Sequence, residues 1–131
     1  MTNDLDICHS RNPENLKRLA AALVELGAKL RGAPDDIPFL LDELTLAAGQ
    51  NFTFTTTAGA LDCLAIPSGS QGYEELAANA VEVDLDGLVV EVVGLNDLIR
   101  MKRTAGRPKD LIEVEILGAL RDEIEGGSQL G

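Results

Sequence analysis

Acids and aliphatics alternate in Asp4-Leu5-Asp6-Ile7-Cys8, and an asparagine–proline helix start follows within five residues. That pattern constrains this chain more than any other. Successive side chains of a strand point to opposite faces, so Asp4 and Asp6 share one face and Leu5 and Ile7 turn toward a core. Two carboxylates on one face repel each other, and burying them unpaired is costly. They require open water, an Arg or Lys, or a metal ion. Mg²⁺ suits such a pair, because it takes one or two carboxylates and completes its shell with water and phosphate oxygens.

The rest of the chain supplies an ordinary α+β inventory. Asn12 is placed to cap a helix with Pro13 in its first turn. Leu16, Leu19, Ala20, Leu23 and Leu26 recur at helical spacing, and Gly27 stops the run. Gly32-Ala33-Pro34-Asp35-Asp36 reads as loop, and 39–48 as either a short helix or an irregular strand. Phe52-Thr53-Phe54-Thr55-Thr56 and Ala60–Ile66 form a hairpin turned at Ala58-Gly59. A Ser/Gly loop leads into a short helix over 73–80. Val81–Leu85 and Leu88–Val93 flank Asp86-Gly87, a strong hairpin signal. A helix over 95–104 ends at Gly106-Arg107-Pro108. A last helix over 109–125 carries Leu111, Ile112, Val114, Ile116, Leu117 and Leu120 as its core face, and residues 126–131 form a flexible tail. The expected architecture is a single α+β domain over 1–125, a mixed β-sheet packed on helices.

Composition excludes several function classes. With 22 acidic against 11 basic residues and a net charge of −11, the chain lacks the basic stripe that non-specific nucleic-acid or membrane-surface binding needs. Phe39, Phe52, Phe54 and Tyr73 are its only aromatics, too few for base-stacking platforms. No apolar run approaches the roughly 18–20 residues of a membrane span, and the first residues are no signal peptide, so a cytoplasmic protein is expected. Cys8 and Cys63 lie in apolar segments and read as reduced hydrophobes, with no CxxC or His/Cys cluster. His9 reads as a half-exposed strand end.

Asp62 interrupts the apolar run around Leu61 and Cys63. It is either a strand acid paired with Arg or Lys, or the third member of a site. If its strand lies beside Asp4–Asp6, three carboxylates converge as two-metal phosphoryl transfer requires. The one basic segment runs from Arg100 to Lys109. Lys102, Arg107 and Lys109 there either grip phosphates or join structural ion pairs, and Asp110 caps the final helix or pairs with Arg107.

Asp4-Leu5-Asp6-Ile7-Cys8 with Pro13-Glu14-Asn15 and its helix, then Gly59-Ala60-Leu61-Asp62, then Leu98-Ile99 and Lys102 leading into Gly106-Arg107-Pro108-Lys109-Asp110, together resemble the polymerase-beta-type nucleotidyltransferase superfamily. The likeness is to its small bacterial members, some tied to abortive-infection and toxin–antitoxin systems, and covers roughly residues 3–121. It implies a nucleotidyltransferase-like fold and Mg²⁺- or Mn²⁺-dependent transfer of NMP from an NTP to a hydroxyl acceptor whose identity it does not specify. It assigns metal binding to Asp4, Asp6 and Asp62, a catalytic role to Asp62, and substrate contacts to Lys102, Arg107 and Lys109. The family pattern also sets a strand and a Gly-Gly or Gly-Ser turn ahead of the acidic strand, where backbone amides meet the phosphates. Only Met1-Thr2-Asn3 precedes Asp4 here. A truncated or degenerate member is therefore expected, with an exposed sheet edge that favours association with itself or a protein partner. The alternative function is a non-catalytic interaction module, for example one half of a two-component defence pair. A nuclease using the same acids lacks a His or Lys base near Asp62.

Overall fold

A computed structural model describes residues 4–34 and 39–130, apart from the side chains of Asp4 and of residues 127–130. The fold is mixed α+β and divides into two compact units, Met1–Ile66 and Pro67–Gly131.

The first unit contains β1 (Asp4–Cys8), α1 (Pro13–Glu25), β2 (Lys29–Leu30), α2 (Glu43–Ala48), β3 (Asn51–Thr56) and β4 (Gly59–Leu64). The strands form one mixed sheet in the order β1-β4-β3-β2. β1 runs parallel to β4, and the other pairings are antiparallel. Local chemistry sets the helix ends. The Asn12 side chain accepts the Glu14 N–H at 3.0 Å, satisfying one of the free donors of the first turn. At the other end Ala28 N donates to Leu23 O and Gly27 N to Val24 O, with Gly27 at φ 63°. This is a Schellman closure, which needs a residue tolerant of the left-handed region. The 39–48 stretch resolves as helix α2 because Asp42 caps it, its carboxylate accepting from Thr45 N at 2.8 Å.

One face of the sheet carries the core. Leu16, Ala20 and Leu23 of α1 and Leu46 of α2 pack with Phe54, Leu61 and Cys63, and Ile7, Phe39 and Phe52 border them. Phe54 is fully buried, its ring centroid 6.1 Å from Phe52 and 6.2 Å from Phe39. Burying a side chain of this size stabilises the fold by about 1.5–3 kcal/mol.

Two expectations for the first strand change. β1 lies at the sheet edge, so Leu5 is 61 % exposed while Ile7 reaches the core. His9 is buried rather than half-exposed, with 5 % of its surface accessible. It falls on the Ile7 face by alternation, one position past the strand, and its N–H still donates to Leu64 O at 3.2 Å. The hairpin strand read to Ile66 stops at Leu64.

The second unit contains α3 (Tyr73–Ala78), β5 (Val81–Leu85), β6 (Leu88–Val92), α4 (Leu95–Ala105) and α5 (Pro108–Leu130). Asp86 at φ 58° and Gly87 at φ 95° form the two-residue turn of β5–β6 as the Asp-Gly signal predicts. Arg100 ties the unit together, donating to Gly69 O at 2.8 Å and pairing with Asp97 and Glu75, each at 3.0 Å. α5 continues to Leu130, past the predicted stop at Glu125. Gly126 and Gly127 lower helix propensity by about 1 kcal/mol each, but neither ends a helix unless the chain leaves helical φ and ψ. The expected core face of α5 is largely open: Leu111, Ile112, Ile116 and Leu120 are exposed, while Val114 and Leu117 are half-buried. No helix among the described residues is long and apolar enough to cross a membrane.

Candidate functional site

The face of the first unit's sheet opposite the core is built by strand register. Asp6 on β1 stands opposite Asp62 on β4. Asp62 stands opposite Thr53 on β3. The β2–β3 register pairs Leu30 with Phe54, and Arg31 N–H extends it by donating to Thr53 O at 3.0 Å. Asp6, Asp62, Thr53 and Arg31 therefore form one row across β1, β4, β3 and the residue that follows β2. In-register neighbours share a face and adjacent strands lie about 4.8 Å apart. Two carboxylates so spaced can reach a common cation. Lys29 lies two residues before Arg31, opposite Thr55. The face is thus acidic at the β1 edge and basic at the β2 edge, with threonines between.

Arg31 spans two strand spacings to reach Asp62. Its Nη2 donates to Asp62 Oδ1 at 2.8 Å and to Phe54 O, also at 2.8 Å. The pair is only partly shielded, with 36 % of the Arg31 and 22 % of the Asp62 side chain accessible. Asp6 and Thr53 are exposed. Asp4 stands opposite Ala60, two residues before Asp6. Its carboxylate lies outside the described residues, so the expected three-acid set is described for Asp6 and Asp62. Among the described residues no group of three or more His, Cys, Asp and Glu side chains is arranged to hold a metal ion. The facing pair nonetheless fits Mg²⁺ or Mn²⁺, which need no more than two carboxylates when water and phosphate oxygens fill the remaining positions.

The cations expected from the sequence lie in the second unit. Lys102 Nζ is 2.6 Å from Glu113 and 3.8 Å from Asp110. Arg107 Nε is 2.6 Å from Asp110, a fully buried carboxylate that also accepts the Arg107 N–H at 3.2 Å. Hydrogen bonds from Arg107 hold the Asp110 carboxyl below the usual carboxylate range, against the opposing effect of burial. Asp110 thus both caps α5 and pairs with Arg107. Lys109 is exposed.

Lys29 and Arg31 are the basic residues that sequence reasoning missed. β2 spans two residues, too short for alternation to register, and it falls between the Gly27 stop and the loop read from Gly32. The available signal was the Lys29-Leu30-Arg31 alternation itself.

Compared with family models, curated proteins and solved structures, the chain matches none. Beside Asp62, Cys63 faces the core, and burial, with a smaller contribution from the Asp62 charge, pushes its thiol up to about 11. Such a thiol is neither a nucleophile nor a ready metal ligand near neutral pH. Cys8 donates weakly to Ala65 O at 3.7 Å. Among the described residues, the charged groups of this face are the carboxylate pair and the cations Arg31 and Lys29.

Proposed function

We propose that the chain is a nucleotidyltransferase-fold protein whose acidic sheet face binds Mg²⁺ or Mn²⁺ together with the triphosphate of an NTP, for NMP transfer to a hydroxyl acceptor. The observation that carries this reading is the register of the parallel pair, which sets Asp6 opposite Asp62 on an open face. Asp4 and Asp6 would hold the ion, and Asp62 would complete its shell. A divalent ion held there would supply charge neutralisation to the triphosphate and to the oxygens that attack and leave. Asp62 accepts the proton of the acceptor hydroxyl, whose oxygen attacks the α-phosphorus and expels pyrophosphate. Lys102 and Arg107 have carboxylate partners within their own unit, so the proposal rests on neither, and Lys109 is the exposed candidate for a substrate contact.

A thermal-shift titration tests the reading. A ligand that binds only the folded state stabilises it by about 2.7 kcal/mol at one hundred times its Kd. Mn²⁺ with an NTP is expected to raise the Tm, and Asp6→Asn is expected to abolish the rise without unfolding the protein. A wild-type Tm indifferent to Mn²⁺, alone and with each NTP, refutes it.

The alternative is a non-catalytic interaction module on the same fold, acting with a protein partner or a second copy. The exposed Leu5 on edge strand β1 favours it, because an open strand edge with apolar side chains is a pairing surface. That module folds and binds its partner equally well with Asp6→Asn.

A further inference from the structure

Arg31 occupies the position where a cation would be needed. Its guanidinium meets Asp62 from the basic edge of the sheet, and Asp6 faces Asp62 from the other side. We infer that Arg31 is a displaceable counter-ion: it neutralises Asp62 before metal arrives, yields that carboxylate to the divalent cation, and then serves as an anion-binding group for phosphate. This inference rests on the metal-binding reading of the same face.

Three features support exchange over a fixed structural pair. First, the contact to Asp62 uses a single carboxylate oxygen, Oδ1, and not the two-pronged geometry that locks Arg to a carboxylate. Second, both side chains keep access to water, so breaking the contact leaves neither charge stranded in a dry interior. Third, Arg31 has a second anchor independent of Asp62. Its Nη2 also donates to Phe54 O, and its backbone N–H holds Thr53 O. Losing Asp62 thus releases charge without releasing the residue. Once Asp62 turns to the metal, a guanidinium fixed on the same face, one row of exposed threonine away, is suited to a phosphate oxygen of the metal's ligand.

This exchange predicts opposite effects of one substitution on two ligands. Arg31→Gln removes the charge but keeps an amide that can donate to Phe54 O. Mn²⁺ binding alone, followed by electron paramagnetic resonance of free Mn²⁺, is expected to tighten about two- to fivefold, the range of a partly exposed ion pair. Binding of inorganic triphosphate in saturating Mn²⁺ is expected to weaken. A purely structural role for Arg31 moves both in the same direction.

If wild type binds Mn²⁺, Asp6→Asn does not, and Arg31→Gln binds Mn²⁺ no more tightly than wild type, the exchange is overturned while the metal site stands. If wild type, Asp6→Asn and Arg31→Gln all fail to bind Mn²⁺, the site and the exchange fall together. Should Arg31→Gln not unfold cooperatively, Arg31→Lys decides. A lysine keeps the charge but is one bond shorter and falls short of Asp62 across two strand spacings, so its Mn²⁺ affinity is expected above wild type, and an equal or weaker affinity overturns the exchange.

Discussion

His9 is buried with neither ring nitrogen hydrogen-bonded, which makes it the sharpest test of how the first unit is held together. Burial, and secondarily the Arg11 charge, lowers its pKa below the ordinary 6.5. The sign of the pH dependence follows. In the unfolded chain His9 takes up a proton as pH falls through about 6.5, whereas in the folded protein it stays neutral to lower pH. The unfolded state then binds more protons, so stability falls with pH from about 6.5 down to the folded pKa, by at most about 1.36 kcal/mol per pH unit. His9 is the chain's only histidine, so it dominates linkage between pH 7 and 5.5, above the usual carboxylate range. His9→Leu removes the titrating group and both orphaned nitrogens. Because an unmet buried polar group costs about 1–3 kcal/mol, the variant is expected to equal or exceed wild type at pH 7.5 and to lose the slope. Urea unfolding followed by circular dichroism from pH 7.5 to 5.5 measures both quantities. The single His9 ring resonance reports its protonation directly. A flat wild-type profile, or a His9→Leu variant destabilised by 2 kcal/mol or more at pH 7.5, would refute the reasoning and show that the imidazole has a partner.

Three further outcomes follow from the packing. Phe54→Ala empties the centre of the first unit's core and is expected to cost about 3–5 kcal/mol in urea unfolding. Cys63, with its thiol at about 11 and no exposed surface, is expected to resist Ellman's reagent at pH 8 until urea is added, and rapid native labelling of both cysteines would contradict the fold of β4. Gly69 sits at φ 82°, where an added Cβ would lie 2.7 Å from Thr104 Oγ1 and 3.0 Å from Met101 Cα. Gly69→Ala is therefore expected to lower the melting temperature of the second unit, whereas Gly32→Ala, at a similar φ of 79° but with open space around it, isolates the backbone contribution.

The elements legible in the sequence are those whose signal is local. Asn12-Pro13, Gly27, Asp86-Gly87 and Gly106 each act through a cap or a turn that neighbouring residues complete, and each lies where the sequence puts it. Elements that need a distant partner were harder to read. β2 exists because β3 offers it a ladder, and two residues carry no period. The burial of His9 depends on what stands opposite a strand end, and the exposure of Leu5 on which strand forms the edge. Apolar spacing predicts a core face on α5, yet spacing specifies only a stripe. Whether the stripe is covered depends on packing that the period does not encode.

The same distinction governs the site. Asp4, Asp6 and Asp62 stand out because acids are conspicuous in apolar strands, and the register brings Asp6 to Asp62. The dense basic run from Arg100 to Lys109 was the obvious source of cations, but density along a helix pair is also what a structural ion-pair network looks like. Lys102 and Arg107 spend their charge on Asp110 and Glu113. The cation that does meet Asp62 is 31 residues away in sequence and arrives through two antiparallel pairings. An acid that faces a second acid on one side and a guanidinium on the other is neutralised whether or not metal is bound. The sheet can therefore fold around Asp62 without metal, which is why stability alone does not separate enzyme from interaction module. The Mn²⁺ affinities of wild type and Asp6→Asn do, because the interaction module needs no cation, and Arg31→Gln tests separately whether that site exchanges one counter-ion for another.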